Sequence, residues 1–359
     1  MLRIYLILII TGGVLVSCSR NELGKVTRDM VDSVGFATKA WQMDSVMKRI
    51  ERRKGSGPVE QRVNHPWKTA IAPHDDYSYA GPVYTRVLPN IEANTLILIG
   101  VAHQAADFGL KEHLIFEDFD YWDAPYGKIK TSGLREKILQ HLPEDTYRIH
   151  RKMHQKEHSL EALLPFLQYY HKEKIEIIPL LVPYMKYSTM QEIAPAFAEA
   201  VKKAAGQKQY GWGKDFALII STDAVHYGDK DWGGKDYASY GTDSAGYRKA
   251  VQHEYKLIDQ SFRGELKPEK AAAFYRATIS DSDYTRYKWT WCGRYSVPFG
   301  LLASYHLNRE FSASPLQGAF LDYSTSIDHH PIPVEDLEMG QTAPAHLSHW
   351  VGYTAAGFR

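Results

Sequence analysis

Four short apolar runs constrain this chain more than any other feature: residues 69–72 (TAIA), 95–99 (TLILI), 175–182 (IEIIPLLV) and 216–220 (FALII). Each reads as a strand, the second as a fully buried one, and the stretches between them carry apolar residues at helical spacing. The spacing predicts helices over 32–53, 82–92, 132–141, 159–172, 188–205, 244–262 and 294–306, with later strands over 316–323 and 349–354. Strands alternating with helices imply an α/β fold: a central, mostly parallel or mixed sheet flanked by helices. No internal repeat and no composition break divides residues 30–359, which read as one domain.

The first residues read as an address rather than as part of that fold. Residues 1–17 (MLRIYLILIITGGVLVS) place one early charge, Arg3, before an apolar run that is short for a spanning helix. Leu15-Val16-Ser17-Cys18 resembles the bacterial lipobox, in which the cysteine is lipidated and becomes the mature N-terminus. The expectation is a signal peptide over 1–17, then lipidated Cys18 and a polar tether over 18–29. The lipid would anchor the protein to a membrane of the bacterial cell envelope. Ser19 is not the Asp that commonly retains lipoproteins at the inner membrane, which favours the outer membrane. Lipidation of Cys18 would leave Cys292 as the single thiol, with no partner for an intramolecular disulfide.

Charge removes one class of function. With 43 basic and 42 acidic side chains the net charge is +1, so no basic excess exists to hold a phosphate backbone, and no nucleic-acid partner is expected. There is no HExxH, no nucleophile elbow and no CxxC, which disfavours zincin, α/β-hydrolase and thioredoxin chemistry.

The chemistry lies just past the apolar runs. The first continues into Pro73-His74-Asp75-Asp76-Tyr77, the second into Gly100-Val101-Ala102-His103-Gln104, and the fourth into Ser221-Thr222-Asp223-Ala224-Val225-His226. Open α/β sheets bind ligands beyond the carboxyl ends of their strands. Three runs each deliver a histidine to that edge, and one adds an aspartate. Imidazole and carboxylate suit iron, zinc, copper or manganese as well as proton transfer, so a metal site and an acid–base site both fit.

Two further segments are placed to close such a site. Glu157-His158-Ser159-Leu160-Glu161 opens an amphipathic helix, where Glu157 either faces the edge or complements the helix dipole. Trp291-Cys292-Gly293-Arg294 precedes another helix. A thiol at a helix N-terminus beside Arg294 is expected to ionise more readily than usual, as a nucleophile or soft metal ligand. Arg294 suits an anionic substrate group or a structural carboxylate. His150, His154 and His158 recur every fourth residue, which on one helix would align them.

Taken in order, these segments resemble the Memo family, also called AmmeMemoRadiSam system protein B. The pieces are Ala72-Pro73-His74 with Tyr77-Ser78-Tyr79-Ala80-Gly81, Gly100-Val101-Ala102-His103, Glu157-His158-Ser159-Leu160-Glu161, Ser221-Thr222-Asp223 with His226-Tyr227-Gly228, and Cys292-Gly293-Arg294. The resemblance implies the fold of the LigB-like class III extradiol dioxygenases. It implies a metal trio of His74, His103 and Cys292, with Asp223 and His226 in the same pocket. Cysteine standing where the dioxygenases have a carboxylate favours iron or copper in a softer field, with zinc also accommodated. The chain departs from the family at Asp75-Asp76, Ala102, Gln104 and Ala224-Val225, and in its leader.

The leading expectation is therefore a lipid-anchored, metal-dependent oxidoreductase. His226 would move a proton, Asp223 would orient or balance it, His158 would bind substrate or oxygen, and Arg294 and Tyr77 would hold substrate. The competing expectations are a metal- or ligand-binding protein that uses the same pocket without turnover, and a metal-dependent hydrolase.

Overall fold

The computed structural model describes residues 24–53, 66–172, 175–312 and 314–359. Seven strands position the site: Thr69–Ala72 (β1), Thr95–Val101 (β2), Glu176–Val182 (β3), Phe216–Ser221 (β4), His226–Gly228 (β5), Gln317–Thr325 (β6) and His349–Phe358 (β7). The sheet runs β3-β2-β4-β1-β7-β6, with the first four strands parallel. Strand β7 is antiparallel to both β1 and β6, and β5 pairs with its first residues. The sheet is therefore mixed, within the expected α/β class.

The apolar runs are continuous because both faces of the sheet are covered. Leu96 and Leu98 of β2 join the core layer of helices Ala40–Arg53, Tyr77–Val87 and Leu164–Tyr170. Ile97 and Ile99 join the opposite layer, with helices Tyr187–Gly206, Ser244–Phe262 and Ser296–Phe311. Each such fully buried side chain stabilises the fold by roughly 1.5–3 kcal/mol. A one-residue slip would exchange the two faces, so packing fixes the register. Strand β4 lies between β1 and β2, and the helices after β1 and β3 leave on opposite faces, which leaves a crevice at the carboxyl ends.

Local chemistry sets the boundaries. Helix formation is delayed from 32 to Ala40 because side chains satisfy the preceding backbone. Asp32 Oδ1 accepts from the N–H groups of Val34 and Gly35, and Gln42 Oε1 accepts from those of Thr38 and Lys39. Pro82 sits inside the Tyr77–Val87 helix and has no N–H for the Ser78 carbonyl, and Ile332 N–H donates to that carbonyl instead, at 2.7 Å. The Pro268–Thr278 helix was not foreseen, although a proline at its first position and Glu269 in its first turn are start signals.

The folded body also begins earlier than expected. Thr27–Arg28, read as tether, pairs in parallel with Tyr121–Trp122. The Arg28 guanidinium is buried, donating to Glu161 and to the carbonyls of His154 and Glu157. Residues 1–23, including Cys18, lie outside the described residues. Among the described residues no helix is long and apolar enough to cross a membrane.

Candidate metal centre

Three strand ends and one loop meet at the crevice. His74 stands two residues past β1, His103 two past β2, and Asp223 two past β4. The loop carrying Cys292 is tied to the same edge. Val225 and Trp291 form an antiparallel bridge, His226 N–H donates to the Thr290 carbonyl, and Thr290 Oγ1 donates back to the His226 carbonyl. Gly293 N–H donates to Thr222 Oγ1 at 3.1 Å. A Cβ at Gly293 would stand 2.1 Å from that oxygen, so only glycine lets the loop come this close.

The ligand atoms of His74, His103 and Cys292 lie within 4.8 Å of one another. Hydrogen bonds fix which imidazole nitrogens face inward. Ser221 Oγ donates to the Ser159 carbonyl and so accepts from His74 Nδ1, 2.8 Å away. The His74 Nε2 lone pair is left toward Cys292 Sγ at 3.3 Å and Asp223 Oδ2 at 3.4 Å. Glu157 holds His103 in the same way, accepting from its backbone N–H and its Nδ1, both at 2.8 Å. Each histidine thus has its outer nitrogen pinned and its Nε2 available, as histidine metal ligands are arranged. Ligands bonded to one ion at about 2.0–2.3 Å stand roughly 3.5 Å apart, close to the His74–Cys292 separation. The residues fit a metal ion.

Electrostatics agree with a site built for a cation. Burial and the neighbouring His103 and His158 hold the His74 imidazole well below its usual range, keeping it neutral. Burial would lower His103 as well, but the Glu157 carboxylate overrides it and raises it. Cys292 corrects one expectation. Its thiol is pushed up rather than down, by burial and by the Asp223 carboxylate. The Arg294 guanidinium that was to lower it turns away, lying 3.5 Å over the Tyr287 ring and donating to the Thr285 carbonyl. The helix begins only at Ser296. A bound cation would reverse the balance and favour the thiolate.

The remaining predicted residues divide. Asp223 Oδ1 accepts from His74 N–H at 2.9 Å, and Asp223 N–H donates to Cys292 Sγ at 3.1 Å. His158 stacks on His103 with ring centres 4.9 Å apart. Their side chains, 40% and 32% exposed, form the solvent-facing mouth. His226 Nδ1 lies 3.3 Å from the Thr290 carbonyl, and burial pushes its imidazole down to about 4. Tyr77 is not at the mouth. It is buried against Phe36, Tyr84 and Phe166, with its hydroxyl committed to the Ala162 carbonyl. His150, His154 and His158 do not converge. His150 caps a helix, and His154 is buried on the Ile115 carbonyl.

Sequence reasoning missed Ser221 and Thr290, and left the role of Glu157 open. Polar residues directly before or beside a candidate ligand were the available signal. Glu157 also belongs to a second cluster with His103 and His158. Its oxygens already accept from His103 and from Ser159 N–H, which makes it an orienting carboxylate rather than a ligand.

Fold and site together define an α/β protein with a His/His/Cys cluster at the carboxyl edge of a mixed sheet, His74 and Cys292 buried and His103 open to solvent. The chain belongs to the Memo family: the profile of that family, described as Memo-like protein, matches residues 40–334. It is 32% identical over 164 residues to a MEMO1 family protein of Aquifex aeolicus, covering 45% of this chain and 54% of that protein. It is 28% identical over 165 residues to one from Pyrobaculum arsenaticum, covering 44% and 52%, and 28% identical over 159 residues to one from Methanococcoides burtonii, covering 44% and 54%. The chain thus spans about half the length of the curated relatives it matches.

Proposed function

We propose that His74, His103 and Cys292 hold one iron or copper ion and that the protein is a metal-dependent oxidoreductase of the bacterial cell envelope, anchored through lipidated Cys18. The observation that carries the metal reading is the pair of pinned imidazoles, whose free Nε2 atoms share one small space with a thiol. Nothing in core packing requires two histidines held in one tautomer toward a buried cysteine. The mixed His/His/Cys donor set suits iron or copper better than the all-oxygen set of magnesium or calcium. Such an ion would supply redox chemistry toward oxygen or a thiol.

The chain's own residues do the rest. Asp223 fixes the His74 backbone and holds the Cys292 sulfur through its N–H. His226 is neutral at pH 7, and with Nδ1 on the Thr290 carbonyl its Nε2 is left to accept a proton. His158, at the mouth, contacts what enters. The envelope assignment is supported by the lipobox-like Leu15-Val16-Ser17-Cys18 and by Ser19, which favours the outer membrane.

Oxygen uptake by anaerobically loaded protein, with a panel of catechols and thiols, tests the activity. The expected result is metal-dependent uptake with at least one class, abolished in Cys292→Ser. Tight metal retention with no uptake would leave a metal-binding protein without turnover. Labelling with a fatty-acid probe, lost in Cys18→Ala, tests the anchor.

A further inference from the structure

A cavity of about 510 Å³ lies beside the loop that carries Cys292 and serves no purpose in the metal reading. Its wall includes Thr290, the residue that pairs with His226, and Arg294, two residues past Cys292. It therefore adjoins the metal face without being part of it.

Arg294 is the notable feature. The residue is 4% exposed, and its Nη2 donates to the Thr285 carbonyl at 3.0 Å. Its Nη1 is buried with no hydrogen-bond partner among the described residues. No described carboxylate forms an ion pair with it. Buried guanidinium groups are ordinarily paired, and an unmatched buried donor is costly to the fold. The rings of Tyr287, Tyr295 and Tyr184 surround the cation and fix its plane, but they accept nothing from Nη1. Lys235 and Arg286 also line the cavity, where Asp236 is the one carboxylate on the wall and the Lys288 ammonium is held by Asp281 at 2.8 Å. Tyr184, Tyr287 and Trp289 add ring surface to the same walls. A cavity of this size takes a small molecule rather than a chain segment.

We infer that this cavity binds a small aromatic anion, with its carboxylate or phosphate at the Arg294 guanidinium and its ring against the tyrosine and tryptophan walls. Arg286 and Lys235 raise the local anion concentration. The inference rests on the cavity and not on the metal.

The test is calorimetric titration of the full chain with benzoate, phenyl phosphate, uncharged benzamide and inorganic phosphate. Benzoate or phenyl phosphate is expected to bind at least tenfold more tightly than benzamide, and phenyl phosphate more tightly than inorganic phosphate. Arg294→Gln is expected to weaken the aromatic anion at least tenfold. Because Arg294 also stacks on Tyr287, Arg286→Gln serves as a second variant, expected to weaken binding a few-fold and to flatten its salt dependence. Cys292→Ser, which removes a proposed metal ligand, is expected to bind the anion as the parent does. Equal affinity for benzoate and benzamide, or no binding of either anion, would overturn the inference. So would Arg294→Gln with unchanged melting and unchanged affinity. Loss of anion binding in Cys292→Ser alone would place the anion on the metal instead, and overturn it too.

Discussion

Glu157→Gln isolates the contribution of ligand orientation to metal affinity. The carboxylate accepts from three N–H groups: His103 backbone, His103 Nδ1 and Ser159 backbone. The amide has one accepting oxygen, so it cannot serve both the His103 backbone on one side and the pair of donors on the other. Its NH2 group is set against an N–H. Hydrogen bonds to charged groups contribute about 1.5–3 kcal/mol each, and part of that is lost. The metal-free protein should therefore be less stable by about 1–3 kcal/mol. Freed from Glu157, the His103 ring samples orientations that turn Nε2 away from Cys292 and His74. Losing a partner of this kind lowers metal affinity by about 10–100-fold. Anaerobic competition against a chromophoric chelator reads the dissociation constant, and denaturant titration of the metal-free chain reads stability. On a His103→Ala background the substitution should change metal affinity far less, since the ring it orients is gone. Parent-like affinity, within threefold, in Glu157→Gln would refute the orienting role.

Three further outcomes are expected. Gly293→Ala drives a Cβ into Thr222 Oγ1, so the Cys292 loop must shift; we expect a loss of about 1–3 kcal/mol in denaturant titration and weaker metal binding, and unchanged values would contradict the close approach. Arg28→Ala leaves Glu161 buried without its cation and releases the carbonyls of His154 and Glu157, which should cost about 3–5 kcal/mol; a loss under 1 kcal/mol would show that Thr27–Arg28 is dispensable. Glu254 is buried where Trp289, Trp291 and Val225 donate to it, and burial pushes its carboxyl up to about 7. Between its unfolded value near 4.5 and about 7 the native state holds a proton that the unfolded chain has lost, so this group makes stability fall as pH rises, by up to roughly 3 kcal/mol. Glu254→Gln should flatten that slope between pH 5 and 7.5, and an unaltered slope would refute the assignment.

The parts of the molecule legible in sequence were those set by short-range pattern. The strand-end histidines were readable because β1, β2 and β4 are short, doubly buried and parallel, which places residues two past each strand at one edge. Local pattern offered Cys292 only as a residue that could close the site, and the family resemblance put it in the trio; it lies some seventy residues beyond Asp223 and reaches it through loop contacts. The direction of its thiol ionisation was misread for the same reason. Local sequence placed Arg294 beside Cys292, whereas packing on Tyr287 turned the guanidinium elsewhere and put Asp223 in its place. Arg28 illustrates the limit from the other end. A polar segment with no periodicity read as tether, yet its arginine is buried on Glu161, 133 residues away. Fold and family do not by themselves fix the reaction, which is why the site's chemistry has to be measured.

The central claim is that His74, His103 and Cys292 hold one metal ion. Elemental mass spectrometry of the full chain, purified and loaded anaerobically, tests it most directly, with His74→Ala and Cys292→Ser treated in parallel. The account predicts one iron or copper per chain in the parent and its loss in both variants. Protein that takes up no metal after anaerobic loading, or variants that retain it as the parent does, would contradict it.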